Sequence, residues 1–184
     1  RSLSAIKKER VAASAVFSKA SSHSLGDPNS LIDKLELALF AGKIAAYAQG
    51  FAVLEAASKE FSWDLPMATI ARIWRAGCII RSQFLDTIAS AFEQNKGLSN
   101  LLLAPDFVTM MQGATPALRH IVARGAQEGL PLPALSSALA FFDSYRQARG
   151  TANLIQAQRD FFGAHGFKRL DGEGDFHGPW GSGS

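Results

Sequence analysis

The densest group of chemically capable side chains lies near the C-terminus, where Gln156, Gln158, Arg159 and Asp160 run through Gly163 to His165. A guanidinium offers a planar fork of donors that matches a phosphate, and a nearby histidine adds a donor to the same oxyanion. This pattern suits an anionic small molecule. Spacing alone favours a plainer arrangement, in which Arg159 pairs with Asp160 or another acid and His165 is a surface residue. A second group, Arg75 and Arg81 on either side of Gly77-Cys78, reads as partners for acids such as Asp86 or Glu55. Trp74 and the Phe141-Phe142 pair read as packing.

Several chemistries find no signature. There is no Gly-rich dinucleotide or P-loop fingerprint, no nucleophile elbow and no His-Glu-x-x-His zinc motif. The four histidines, His23, His120, His165 and His177, are too scattered for a metal site, so no metal is expected. Nineteen Lys and Arg against sixteen Asp and Glu leave a net charge of +3, too little to imply a nucleic-acid surface. A single cysteine, Cys78, excludes an intrachain disulfide and suits a reducing, cytoplasmic setting. Lys43, Glu55 and Arg81 interrupt the most apolar runs, so no membrane span is expected.

The elements that must carry these residues read as helices throughout. With 184 residues, 47% of them hydrophobic, the chain has the material for one compact domain with a real core. Apolar steps of three and four predict an amphipathic helix over residues 2–20, and the cap and turn formers of Ser21 to Ser30 predict a loop. A long buried helix follows from Leu31 to about Phe61, with Leu35, Leu39, Ala46, Gly50, Val53 and Ala57 along its apolar face. Pro66 opens another, Gly77 marks a bend, and residues 79–93 resume helical periodicity before Asn95, Lys96 and Gly97 stop them. Pro105 breaks the segment after Leu98 to Leu103. Separate helices are then predicted over Phe107–Gln112, Pro116–Gly125 and Leu132–Ala148.

A last helix, capped by Thr151, runs to Phe162 and ends at Gly163, and no strand pattern competes with this all-α reading. Beyond His165 the chain turns Gly-rich and charged, yet retains Phe167, Leu170, Phe176 and Trp180. Those side chains read as anchors that dock on another surface. Gly166 would leave the backbone beside His165 free. Gly181 to Ser184 are either native or a terminal scar.

The run from Asn153 to His165 (NLIQAQRDFFGAH) resembles a signature near the C-terminus of decarboxylating 6-phosphogluconate dehydrogenases. Ile73 to Ser82 and Lys43 to Phe51 are similar to two further stretches of that family, in the same order. The resemblance covers residues 1 to 180. It implies an all-helical dimerisation domain over 1–163 and a tail over 164–184 that docks on the partner subunit. An NADP-binding N-terminal domain, with the general-base lysine and the general-acid glutamate, would precede Arg1, where the start looks like a cut inside a longer protein.

The implied reaction is NADP-dependent oxidative decarboxylation of 6-phosphogluconate to ribulose 5-phosphate, in a homodimer and without a metal. By the same resemblance, Arg159 and His165 reach the partner's active site to bind the substrate phosphate, and Arg1 is a further substrate ligand. Alone, this chain would be inactive. Two departures stand out: Arg149-Gly150-Thr151 before the signature, and Gly166-Phe167 where Thr-Tyr is usual. The alternative from another class is a stand-alone helical module that only dimerises.

Overall fold

The computed structural model of the chain describes residues 2–17, 27–77 and 82–180. Among them the regular structure is helical: α1 (Ser2–Ala5), α2 (Lys7–Val16), α3 (Pro28–Glu60), α4 (Met67–Gly77), α5 (Phe84–Gln94), α6 (Pro105–Gln127), α7 (Pro133–Tyr145) and α8 (Ala152–Gly163), with a 3-10 turn at Leu101–Leu103. The all-α expectation holds. The chain divides into two compact units, Arg1–Phe141 and Phe142–Ser184. His23, Cys78, Ile79, Ile80, Arg81 and Gly181 to Ser184 lie outside the described residues, as does most of the loop expected over Ser21 to Ser30.

In the first unit, the helix expected over residues 2–20 is broken at Ile6 and ends at Val16, and none of its described residues is buried. The long helix α3 begins three residues before Leu31. Asp27 accepts the Ser30 N–H at 2.8 Å, and Pro28 fills the first turn, where a missing N–H costs nothing. The turn formers there are thus a helix start.

Alanines let α3 approach its neighbours closely. Ala38, Ala41, Ile44, Ala45, Ala48 and Phe51 are buried, and a Cβ on Gly42 would lie 2.9 Å from Leu135. Leu39 and Val53, expected on the buried face, are instead 62% and 68% exposed, and Ala46 and Gly50 on that side are exposed too. The helix therefore has two apolar faces, one of which faces outward. Contrary to the expectation from Lys43 and Glu55, α3 is long and apolar enough to cross a membrane by length and composition. Its small-residue face packs along α6.

The two helices expected around Pro116 are one. Proline removes a helical hydrogen bond and crowds the preceding turn, a cost of about 3 kcal/mol. Burial of Phe107, Met111, Ala114, Ala117, Leu118 and Ile121 along one side of α6 outweighs it. The Thr115 hydroxyl also donates to the Met111 carbonyl in the turn that Pro116 disturbs. Phe84 joins three helices, with ring centroids 5.7 Å from Phe40, 5.8 Å from Tyr47 and 5.4 Å from Phe107. Phe51 meets Trp74 at 5.2 Å and Phe92 at 5.3 Å, which confirms Trp74 as packing. Arg75 pairs with Asp86, as expected, and Arg72 with Glu93, both at the surface.

Candidate functional site

The second unit carries the Arg159–His165 group. Its helix α8 starts after Thr151, whose carbonyl accepts the Leu154 N–H at 3.0 Å. The Thr151 side chain makes no capping bond, contrary to expectation. At the other end Gly163 is the last helical residue, as expected, but the left-handed stop falls on Ala164 (φ 52°, ψ 40°). The Ala164 N–H donates to the Asp160 carbonyl at 2.8 Å.

Gly166 follows with φ +71°, a region open to glycine at little cost. It is not free. Its N–H donates to Asp160 Oδ1 at 2.8 Å, and its carbonyl accepts from Gln156 Nε2. The expected looseness beside His165 is absent because both polar groups of this buried glycine are engaged.

The chain then turns back on itself. Phe167 and Phe176 form one antiparallel bridge, with N–H···O distances of 2.8 and 2.9 Å. Lys168 pairs with Asp175 at 2.7 Å, and the Arg169 guanidinium lies 5.2 Å from the Phe176 ring centroid. Arg169 also chelates Asp171, and this holds the Asp171 carboxyl below its ordinary value against the opposing effect of desolvation. The returning segment ends on Asp160. Its Oδ1 accepts from His177 Nδ1 at 2.6 Å, and its Oδ2 from the Gly178 N–H at 2.8 Å and Trp180 Nε1 at 2.6 Å. An ionised carboxylate only accepts, so Nδ1 of His177 carries a hydrogen. A Cβ on Gly178 would sit 2.1 Å from the indole, so only glycine fits there.

Asp160 is 2% exposed. Desolvation pushes its pKa up, but the bonds from Gly178, Trp180, His177 and Gly166 together outweigh it and hold the carboxyl well below the usual carboxylate range. Trp180 and Phe176 make these contacts within the unit, and Trp180 keeps 41% of its surface exposed. Leu170 and Phe162 remain outward, each 81% exposed.

This arrangement decides the fate of Arg159. The expected ion pair with Asp160 does not form, because the carboxylate is turned inward and saturated by four donors. The Arg159 guanidinium is exposed and touches Gln156 Oε1 at 3.4 Å. His165 is exposed in the turn after α8. Arg1, the third expected ligand, lies outside the described residues. Among the described residues, no group of three or more His, Cys, Asp and Glu is arranged to hold a metal ion. Sequence reading missed Asp160 as a hub and His177, Gly178 and Trp180 as its donors. Their separations of 17 to 20 residues carry no periodic signal.

Residues 1–180 match the family described as 6-phosphogluconate dehydrogenase, C-terminal domain. The chain is 53% identical over 180 residues to the decarboxylating 6-phosphogluconate dehydrogenase of Klebsiella pneumoniae, covering 98% of this chain and 38% of that protein. It is 52% identical to the enzyme of that name from Escherichia coli (strain K12), with the same coverage. Among solved structures, the Plasmodium falciparum 6-phosphogluconate dehydrogenase, studied as the apo form and with its cofactor NADP+ and its substrate 6-phosphogluconate, superposes with a TM-score of 0.92 at 40% identity. That match covers 98% of this chain and 39% of the other. The chain therefore spans a little over a third of the length of these relatives. It belongs to the 6-phosphogluconate dehydrogenase C-terminal domain family.

Proposed function

We propose that this chain is the substrate-clamping and dimerising part of an NADP-dependent enzyme that oxidatively decarboxylates 6-phosphogluconate to ribulose 5-phosphate in the pentose phosphate pathway. One observation carries the assignment of its site. Arg159 on α8 and His165 in the turn after it are exposed, while the intervening acid, Asp160, is buried and spent on four donors. A free carboxylate beside Arg159 would compete with a phosphate for the guanidinium. Here that competition is removed.

Arg159 and His165 then hold the phosphate, and Arg1 adds a ligand to the same substrate. The oxidation and the loss of carbon dioxide belong to the rest of the protein, with its lysine base and glutamate acid. Among the described residues no Gly-rich turn opens a helix in the manner of a dinucleotide cradle, and we assign NADP to the N-terminal part of the complete enzyme. The outward apolar face of α3, with Leu39 and Val53, supports a homodimer whose partner supplies the facing surface. The tail over 164–184, with Leu170 outward, would dock on that partner. We place the enzyme in the cytoplasm.

The test is NADP reduction by the complete protein over a range of 6-phosphogluconate concentrations, comparing wild type with Arg159→Ala. Losing a charge-assisted contact should cost about 1.5 to 3 kcal/mol of substrate binding, seen mainly in KM. A wild type silent with both NADP and NAD would remove the enzyme reading and leave a dimerisation module.

A further inference from the structure

We propose that Gln156 and Asp160, one turn apart on α8, are positioning residues that set Arg159 and His165 as a single clamp for the substrate phosphate. The inference rests on the anion-binding reading of that pair.

Chemistry fixes the orientation of the Gln156 amide. A guanidinium only donates and a backbone carbonyl only accepts, so Oε1 must face Arg159 and Nε2 must face the Gly166 oxygen. One side chain thus ties the arginine to the turn that bears the histidine. Asp160 holds the same turn from both sides. Its main-chain oxygen takes the Ala164 N–H and its carboxylate takes the Gly166 N–H, both at 2.8 Å, so His165 sits between two amides anchored on one residue.

The backbone there is unusual enough to need such anchoring. Ala164 is left-handed at φ 52°, a conformation that L-residues keep only where the surroundings over-determine it. Neither proposed residue suits contact with the phosphate itself. Asp160 is buried and negatively charged, and both polar atoms of Gln156 are already engaged. Their effect passes through Arg159 and His165.

The experiment uses initial rates of NADP reduction by the complete dehydrogenase as 6-phosphogluconate is varied. Gln156→Met keeps the length of the side chain and removes the amide. It is expected to raise KM about tenfold with kcat within about twofold, because a misplaced clamp weakens substrate binding more than chemistry. Adding Arg159→Ala to Gln156→Met should raise KM by less than the product of the two single effects, since the residues act as a unit. Asp160→Asn, which turns an NH2 toward donors, should also raise KM.

Gln156→Met leaves the donors of residues 177–180 on Asp160 untouched, so its result stands even if Asp160→Asn loosens the returning segment. An unchanged KM in Gln156→Met beside a raised KM in Arg159→Ala would overturn the positioning role and leave the phosphate reading intact. So would single effects that multiply fully in the double variant, or a fall in kcat alone. If Arg159→Ala itself leaves KM unchanged, the phosphate reading fails first and this inference falls with it.

Discussion

The two units are built on opposite principles. In the first, up to Phe141, the interior is mainly hydrocarbon: alanines on α3, aromatic rings meeting at Phe84 and Phe51, and the apolar side of α6, with Ser58, Asn100 and Glu128 the buried polar side chains among its described residues. In the second, from Phe142 on, the buried positions are Asp160 and Gly166, while Leu154, Ile155, Phe161, Phe162 and Leu170 are exposed. Apolar burial is non-directional and tolerates approximate fits. A carboxylate with four donors is directional and holds each one at a defined place. The first principle suits a scaffold, and the second suits a short segment that must present two side chains in a set geometry.

The contrast can be broken most forcefully in the first unit. Phe51→Ala should destabilise it by about 3 to 5 kcal/mol, read from the urea midpoint, because the ring is 1% exposed and packs on Trp74 and Phe92. A loss under 1 kcal/mol would mean that this core is not the organising one. Gly125→Ala should cost about 1 to 3 kcal/mol, since the new Cβ would fall 2.5 Å from Leu132 Cδ1. The same measurement checks it.

Acid sharpens the comparison from the other side. The folded pKa of Asp160 lies below its unfolded value of about 3.9, so its stabilisation is complete above that pH and is lost as pH falls through the folded value. The side-chain carboxyl carbon resonance of Asp160 should therefore show no protonation shift from neutral pH down to the ordinary carboxylate range and titrate only below it. Titration already near pH 5 would refute the hub. The smallest effect is expected at the surface of the first unit. Arg75→Ala should change stability by less than about 1 kcal/mol, because its pair with Asp86 is exposed and screened.

Much of this protein is legible in its sequence. Apolar periodicity, Pro66, Pro105 and Gly163 marked helices and their ends because these are local properties of a few neighbouring residues. The run from Asn153 to His165 likewise carried the family. Three features were not legible, and each depends on contacts between residues far apart in the chain. Pro116 reads as a break, yet packing against other helices carries α6 through it. The Leu39 and Val53 side of α3 reads as core, but which apolar face turns inward is settled by where the neighbouring helices lie. Asp160 reads as a surface partner for Arg159. Its burial depends on Gly166, His177, Gly178 and Trp180, which come together only when the chain turns back at the Phe167–Phe176 bridge. A residue's type announces what it can bond, but only the folded path of the chain supplies the partner.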